Sequence, residues 1–159
     1  MPVGKDVPAT YRWLKEQSGD AVVLELPFSE WLPGESAYLY FATYHKKKLV
    51  NGYSGFIPAS TFFLRDQFRE FPGRDGVSLL RALGVNYVIV HAKGLPAGKT
   101  PDFASRVEAE SGGSLRLERR FQYGFSRKND FEEWLGDDYV FSVKGRAFAA
   151  EVDPRAKPG

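Results

Sequence analysis

The apolar positions of this chain change period several times, and each change marks an element. Val7, Tyr11 and Leu14 recur at helical spacing, with Asp6 as a candidate cap, Pro8 in the first turn and Gly19 as the stop. Ala21 to Phe28, A-V-V-L-E-L-P-F, is β-branched and apolar nearly throughout, the composition of a strand covered on both faces, and Pro27 stops its hydrogen-bond ladder. Ser29 to Glu35 reads as a loop around the turn signal Pro33-Gly34. From Ser36 to His45 the positions Tyr38, Phe41, Ala42 and His45 return to helical spacing. Leu49 and Val50 make a brief strand, and Asn51-Gly52 turns the chain sharply.

The pattern continues as helix, helix, strand. Pro58 opens a helix in which Phe63 or Leu64, Phe68 and Phe71 face inward while Arg65, Asp66, Arg69 and Glu70 face water, and Pro72-Gly73 ends it. Asp75 is a candidate cap for the next helix, which carries Val77, Leu79, Leu80 and Leu83 and stops at Gly84. Val85 to Val90 reads as a second buried strand, ending at His91. Pro101 starts a helix through Phe103, Ala104 and Val107 to Gly112-Gly113. Leu115, Leu117, Phe121, Tyr123 and Phe125 then alternate with polar residues in a two-residue rhythm, broken at Arg119 in the manner of a bulge or a sheet edge. Tyr139 to Val143 is the last strand. Buried strands interleaved with helices predict an α/β fold, a three-layer sandwich whose mainly parallel sheet becomes mixed at its C-terminal edge. One domain is expected over 1–143, followed by a disordered tail over 144–159.

Composition narrows the classes of function. The chain has 159 residues, and 22 Lys and Arg against 20 Asp and Glu leave a formal charge of +2, too small a field to suggest a nucleic-acid partner. Cysteine is absent, which removes a disulfide framework, a thiol nucleophile and thiolate metal sites. The two histidines, His45 and His91, are far apart in sequence and match no metal-ligand spacing, so neither a metal nor a cofactor is expected. No window approaches the ~18 apolar residues of a membrane helix, and the start has no apolar core of signal-peptide length.

The densest chemistry lies between Thr43 and Phe56, T-Y-H-K-K-K-L-V-N-G-Y-S-G-F. The rings and hydroxyls of Tyr44 and Tyr53, the hydroxyl of Ser54, the imidazole of His45 and the amide of Asn51 suit a sugar. Lys46, Lys47 and Lys48 suit phosphate or an anionic head group. The same residues also suit a helix end with a basic last turn followed by a tight turn with packed tyrosines. Glu25 joins the candidates because a carboxylate inside an apolar strand must be paired, solvated near the strand end, or functional.

Three segments carry a resemblance. V-P-A-T-Y-R-W-L-K-E-Q (Val7 to Gln17) with the following A-V-V-L-E-L-P, Y-L-Y-F-A-T-Y-H-K-K-K-L-V-N-G-Y-S-G-F (Tyr38 to Phe56), and L-L-R-A-L-G-V-N-Y-V-I-V-H (Leu79 to His91) together resemble the C-terminal soluble region of bacterial polytopic membrane proteins of the GT-C glycosyltransferase type. The resemblance implies a non-catalytic accessory domain at the extracytoplasmic face. Its partners would be the membrane-embedded portion of the parent protein and a glycan or polyprenyl-phosphate ligand. It assigns no catalytic residue here, because the catalytic acids of such proteins lie in loops of the membrane portion. One rival is a small hydrolase with Glu25 and His45 as acid and base and Ser54 as nucleophile, although G-Y-S-G lacks the nucleophile-elbow spacing. Another is a purely structural interaction module, which an exposed apolar patch on an unpaired sheet edge, with no polar pocket, would favour.

Overall fold

The computed structural model describes residues 7–17, 19–28, 32–52, 57–92, 101–122 and 137–145. In chain order they form α1 (Ala9–Glu16), β1 (Val22–Leu26), α2 (Leu32–His45), β2 (Lys48–Leu49), α3 (Ala59–Gln67), α4 (Arg74–Ala82), β3 (Tyr87–His91), α5 (Phe103–Glu110), β4 (Leu115–Phe121) and β5 (Asp138–Val143). The strands make one open, mixed sheet in the order β2-β1-β3-β5-β4. β1 runs parallel to both β2 and β3, whereas β5 is antiparallel to both β3 and β4. Parallel pairing is therefore confined to the β2-β1-β3 half, and the antiparallel part reaches further in than an edge.

The uninterrupted apolar runs of β1 and β3 are explained by burial on both sides of the pleat. Leu24, Leu26, Val88, Val90, Tyr139, Phe141 and Val143 pack with Phe68, Phe71, Val77 and Leu80, and with Phe103 and Val107 of α5. The alternate positions Val23, Ile89 and Val140 pack with Leu14 of α1, and Trp13, Leu49, Tyr87 and Phe121 lie against that cluster. A third cluster joins α1 to α2 through Val7, Tyr11 and Phe41, with the Tyr11 and Phe41 rings stacked 4.0 Å apart. Asn86 closes the parallel pair at its amino end, its Oδ1 accepting the Val22 N–H at 2.8 Å.

Several expected boundaries move. α2 begins at Leu32 and absorbs Pro33-Gly34, expected as a turn. A proline near a helix start forfeits no intrahelical bond, and Glu35 in the first turn complements the positive helix end. α1 starts after Pro8 without a side-chain cap, and Asp6 lies outside the described residues. Gly73, at φ 45°, precedes α4, so Asp75 sits in the first turn instead of at the cap. Of the alternatives Phe63 and Leu64, Leu64 packs against the core and Phe63 points to solvent, while Phe68 and Phe71 are buried beyond the end of α3. The bulge expected at Arg119 is present, as a register shift between Leu117 and Arg119. Tyr123, Phe125 and 146–159 lie outside the described residues, whereas Lys144 is tied to the fold by its N–H donating to the Ser114 carbonyl at 2.7 Å. Among the described residues no helix is long and apolar enough to cross a membrane.

Candidate functional site

Glu25 is fully buried, and the sheet register explains its company. Glu25 lies opposite Ile89, so His91, two residues further along β3, shares its face. His91 in turn lies directly opposite Asp138 at the start of the antiparallel β5. Three ionisable side chains from three adjacent strands thereby meet at the carboxyl end of β1 and β3. The imidazole bridges them: Nε2 is 3.0 Å from Glu25 Oε2 and Nδ1 is 2.7 Å from Asp138 Oδ1. α1 supplies the remaining donors. The Tyr11 hydroxyl donates to Glu25 Oε2 at 2.7 Å, and the Thr10 hydroxyl donates to Asp138 Oδ2 at 2.5 Å. From α2, the Tyr38 ring stacks on the imidazole at 5.3 Å, and its hydroxyl donates to the Pro27 carbonyl at 3.0 Å.

The charge on this group follows from its partners. Burial works to lower the His91 pKa, but the charge and hydrogen bond of Asp138 and those of Glu25 outweigh it and raise the pKa to about 10. His91 is therefore an imidazolium at neutral pH, donating from Nδ1 to Asp138 and from Nε2 to Glu25. Burial first and the Glu25 charge second push the Tyr11 phenol well above its ordinary range, and Tyr38 moves the same way for the same reasons. Both phenols stay protonated and serve as donors or packing. Glu25 Oε1 has no hydrogen-bond partner among the described residues.

The residues after α2 turn mostly inward. Asn51 is buried and works as a backbone substitute: its Oδ1 accepts the Glu25 N–H at 2.9 Å and its Nδ2 donates to the Glu25 carbonyl at 2.7 Å. It extends the β1 ladder one step past β2. His45 is buried, its Nδ1 accepting the Lys47 N–H at 3.0 Å and its ring parallel to Tyr11 at 6.0 Å. Burial, helped by the Lys47 charge, lowers its pKa to about 4, so it is neutral where His91 is charged. Lys47 Nζ donates to the Gln17 and Gly19 carbonyls, holding the end of α1. Lys46 and Lys48 are exposed, and the nearby Lys15 Nζ lies 4.4 Å over the half-buried Tyr44 ring. Tyr53 and Ser54 lie outside the described residues.

The structure thus splits the sequence candidates. Glu25 and Asn51 meet through backbone and amide, while Lys15 lies over Tyr44, Lys46 directly follows α2, and Lys48, level with Val22, is on the face of the sheet opposite to Leu49 and α1. Glu25 takes its imidazole from His91, and no hydrogen bond joins it to His45. His91, Asp138, Tyr11 and Thr10 were not distinguished by sequence pattern. The one available signal was the polar residue terminating an apolar strand at His91 and beginning one at Asp138. The buried group also stands where the strand order reverses, since β1 leads through α2 to β2 on one side and β2 leads back to β3 on the other. In open α/β sheets the crevice at that point is the usual ligand position. Here α1 and α2 fill it. Among the described residues no group of three or more His, Asp or Glu is arranged to hold a metal ion. Comparison with protein-family models and with curated proteins finds no match.

Proposed function

We propose that the chain is a non-catalytic α/β module that serves beside a membrane glycosyltransferase-like protein at the extracytoplasmic face and positions an anionic glycan, a lipid-phosphate head group or a partner there. In this reading the sheet is the middle of three layers. The placement in a larger membrane protein rests on the resemblance of Val7 to Gln17, Tyr38 to Phe56 and Leu79 to His91. The non-catalytic part rests on the one observation that carries the reading: the side chains best suited to acid–base chemistry, Glu25, His91 and Asp138, are almost wholly inaccessible and are bonded to one another and to α1. A general acid or base must come within hydrogen-bond reach of a substrate proton. None of these three offers an open face to one.

The ligand surface in this reading is the basic corner of Lys15 and Lys46 beside Tyr44, with Lys48 on the adjoining edge strand. Long exposed lysines take phosphate as point charges, and a tyrosine ring offers a face to a sugar. Ligand-observed NMR against neutral sugars, sugar phosphates and short polyprenyl-phosphate mimics tests it. Saturation transfer to the phosphate-bearing members, lost in Lys46→Glu/Lys48→Glu with an unchanged melting temperature, is the expected result. Equal signals for parent and variant, or no signal from any member, would remove the ligand-positioning role.

A further inference from the structure

Most large apolar side chains among the described residues are buried or half-buried. Among the described residues Ile57, Phe62, Phe63 and Leu83 are the exposed large hydrophobics, and three of them fall within seven positions at the start of α3. Phe62 is 46% exposed and Phe63 is 55% exposed, and α3 buries none of its nine residues. Only the half-buried Leu64 of α3 packs against the core, and the helix is held from beyond its end by Phe68, stacked on Phe28 at 6.3 Å. The Arg65 guanidinium lies 5.3 Å over the Phe62 ring, and Arg69 pairs with Asp66 at 3.3 Å.

We infer that α3 is an interfacial helix whose Phe62 and Phe63, together with Ile57 just ahead of it, enter the head-group region of a lipid bilayer. The inference rests on the reading of the chain as part of a membrane protein, and the topology supplies an independent reason for the orientation. The chain leaves Asn51 level with Glu25, near the carboxyl end of β1, and returns from α3 at Phe68 against Phe28, two residues past that end. α3 therefore occupies the carboxyl edge of the sheet. α1 runs antiparallel to β1, with Thr10 and Tyr11 at Asp138 and Glu25 and its last residues at Lys47. The start of α1 thus lies at the same pole as α3, and in the proposed reading this pole faces the membrane portion.

The chemistry matches lipid better than a protein partner. Aromatic side chains flanked by arginine are the composition that settles at the head-group level, with the ring in the acyl boundary and the guanidinium at phosphate. Two side chains of one short helix and one just ahead of it make too small a patch for a stable protein interface, which needs about 800 Å² from each partner. The consequence reaches the basic corner. Lys48 pairs with Val22 at the amino end of β1, four residues short of Leu26 at the carboxyl edge, or about 13 Å at 3.3 Å per residue. With α3 on the bilayer, Lys46 and Lys48 face away from it and are placed for a glycan phosphate or a soluble partner instead of a lipid head group.

Vesicle flotation tests the inference, with the intact chain and vesicles of phosphatidylcholine alone or with a minority of phosphatidylglycerol, at low and high salt. The parent chain is expected to float with both compositions and to persist at high salt, because apolar insertion is not screened. Phe62→Ser/Phe63→Ser is expected to lose roughly ten-fold or more of its partition, since two aromatic side chains no longer leave water. Lys46→Glu/Lys48→Glu is expected to float as the parent does. No flotation of the parent, undiminished flotation of the phenylalanine variant, or loss with the lysine variant overturns the inference. Self-association of the parent that disappears in the phenylalanine variant would assign the patch to a second copy and likewise overturn it. Loss of sugar-phosphate signals with flotation intact would instead count against the ligand reading alone.

Discussion

At the scale of single residues, the chemistry concentrated after α2 proves to be mainly architectural. Asn51 replaces a missing strand residue by giving both an acceptor and a donor to the Glu25 backbone. Asn51→Ala leaves that buried N–H and carbonyl unpaired, and a loss of about 2–4 kcal/mol is expected in urea unfolding at unchanged m-value. A loss below about 1 kcal/mol would mean that water replaces the amide. Lys46 carries the opposite kind of information. Its φ of 61° puts it in the left-handed region just after α2, with its N–H donating to the Ala42 carbonyl at 2.9 Å, the position that glycine usually holds. Lys46→Gly should raise stability by about 1 kcal/mol, read as a higher melting temperature, because the Cβ clash disappears. The sequence made this stretch visible as a dense run of polar and basic groups. It did not reveal which groups turn inward, since that depends on Glu25 lying beside Asn51, 26 residues away.

At the scale of elements, α1 depends on two hydroxyls. Thr10 and Tyr11 join it to β5 and β1, and Lys47 holds its far end. Tyr11→Phe keeps the ring stacked on Phe41 and removes only the donor to Glu25. The expected cost is about 1–2 kcal/mol. Hydrogen exchange should quicken in the amides of α1 while β1 and β3 keep their protection, as local opening predicts. Equal acceleration across the sheet would show that the bond supports the whole core and not the helix. The element pattern itself was legible where the period was strong: Val7, Tyr11 and Leu14 for α1, the apolar runs for β1 and β3, and the alternation from Leu115 for β4. In α3 the spacing leaves Phe63 or Leu64 as the inward position, and the structure takes Leu64, because helical spacing identifies a candidate apolar face without saying what covers each position.

At the scale of the whole molecule, the two histidines bend the stability profile in opposite directions. The folded state holds a proton on His91 up to about pH 10, whereas an unfolded chain releases it near 6.5. The His91 contribution is therefore complete below 6.5 and is lost as pH rises toward 10. His45 has its folded pKa lowered to about 4, so its contribution is complete above 6.5 and is lost as pH falls toward 4. Chemical denaturation across pH should show stability falling on both sides, with His91→Gln flattening the alkaline limb and His45→Gln the acid one. An unchanged alkaline limb in His91→Gln would show that the imidazolium is not held between Glu25 and Asp138. The sequence alone determined the α/β class, the buried character of β1 and β3 and the bulge near Arg119, because period and composition act over a few neighbouring residues. Only the tertiary structure decided that Glu25 meets His91 and Asp138, because that meeting depends on strand order and register across residues 66 and 113 positions apart in the chain. It also decided that α3 leaves Phe62 and Phe63 uncovered, because exposure is set by what the rest of the chain brings against a helix face.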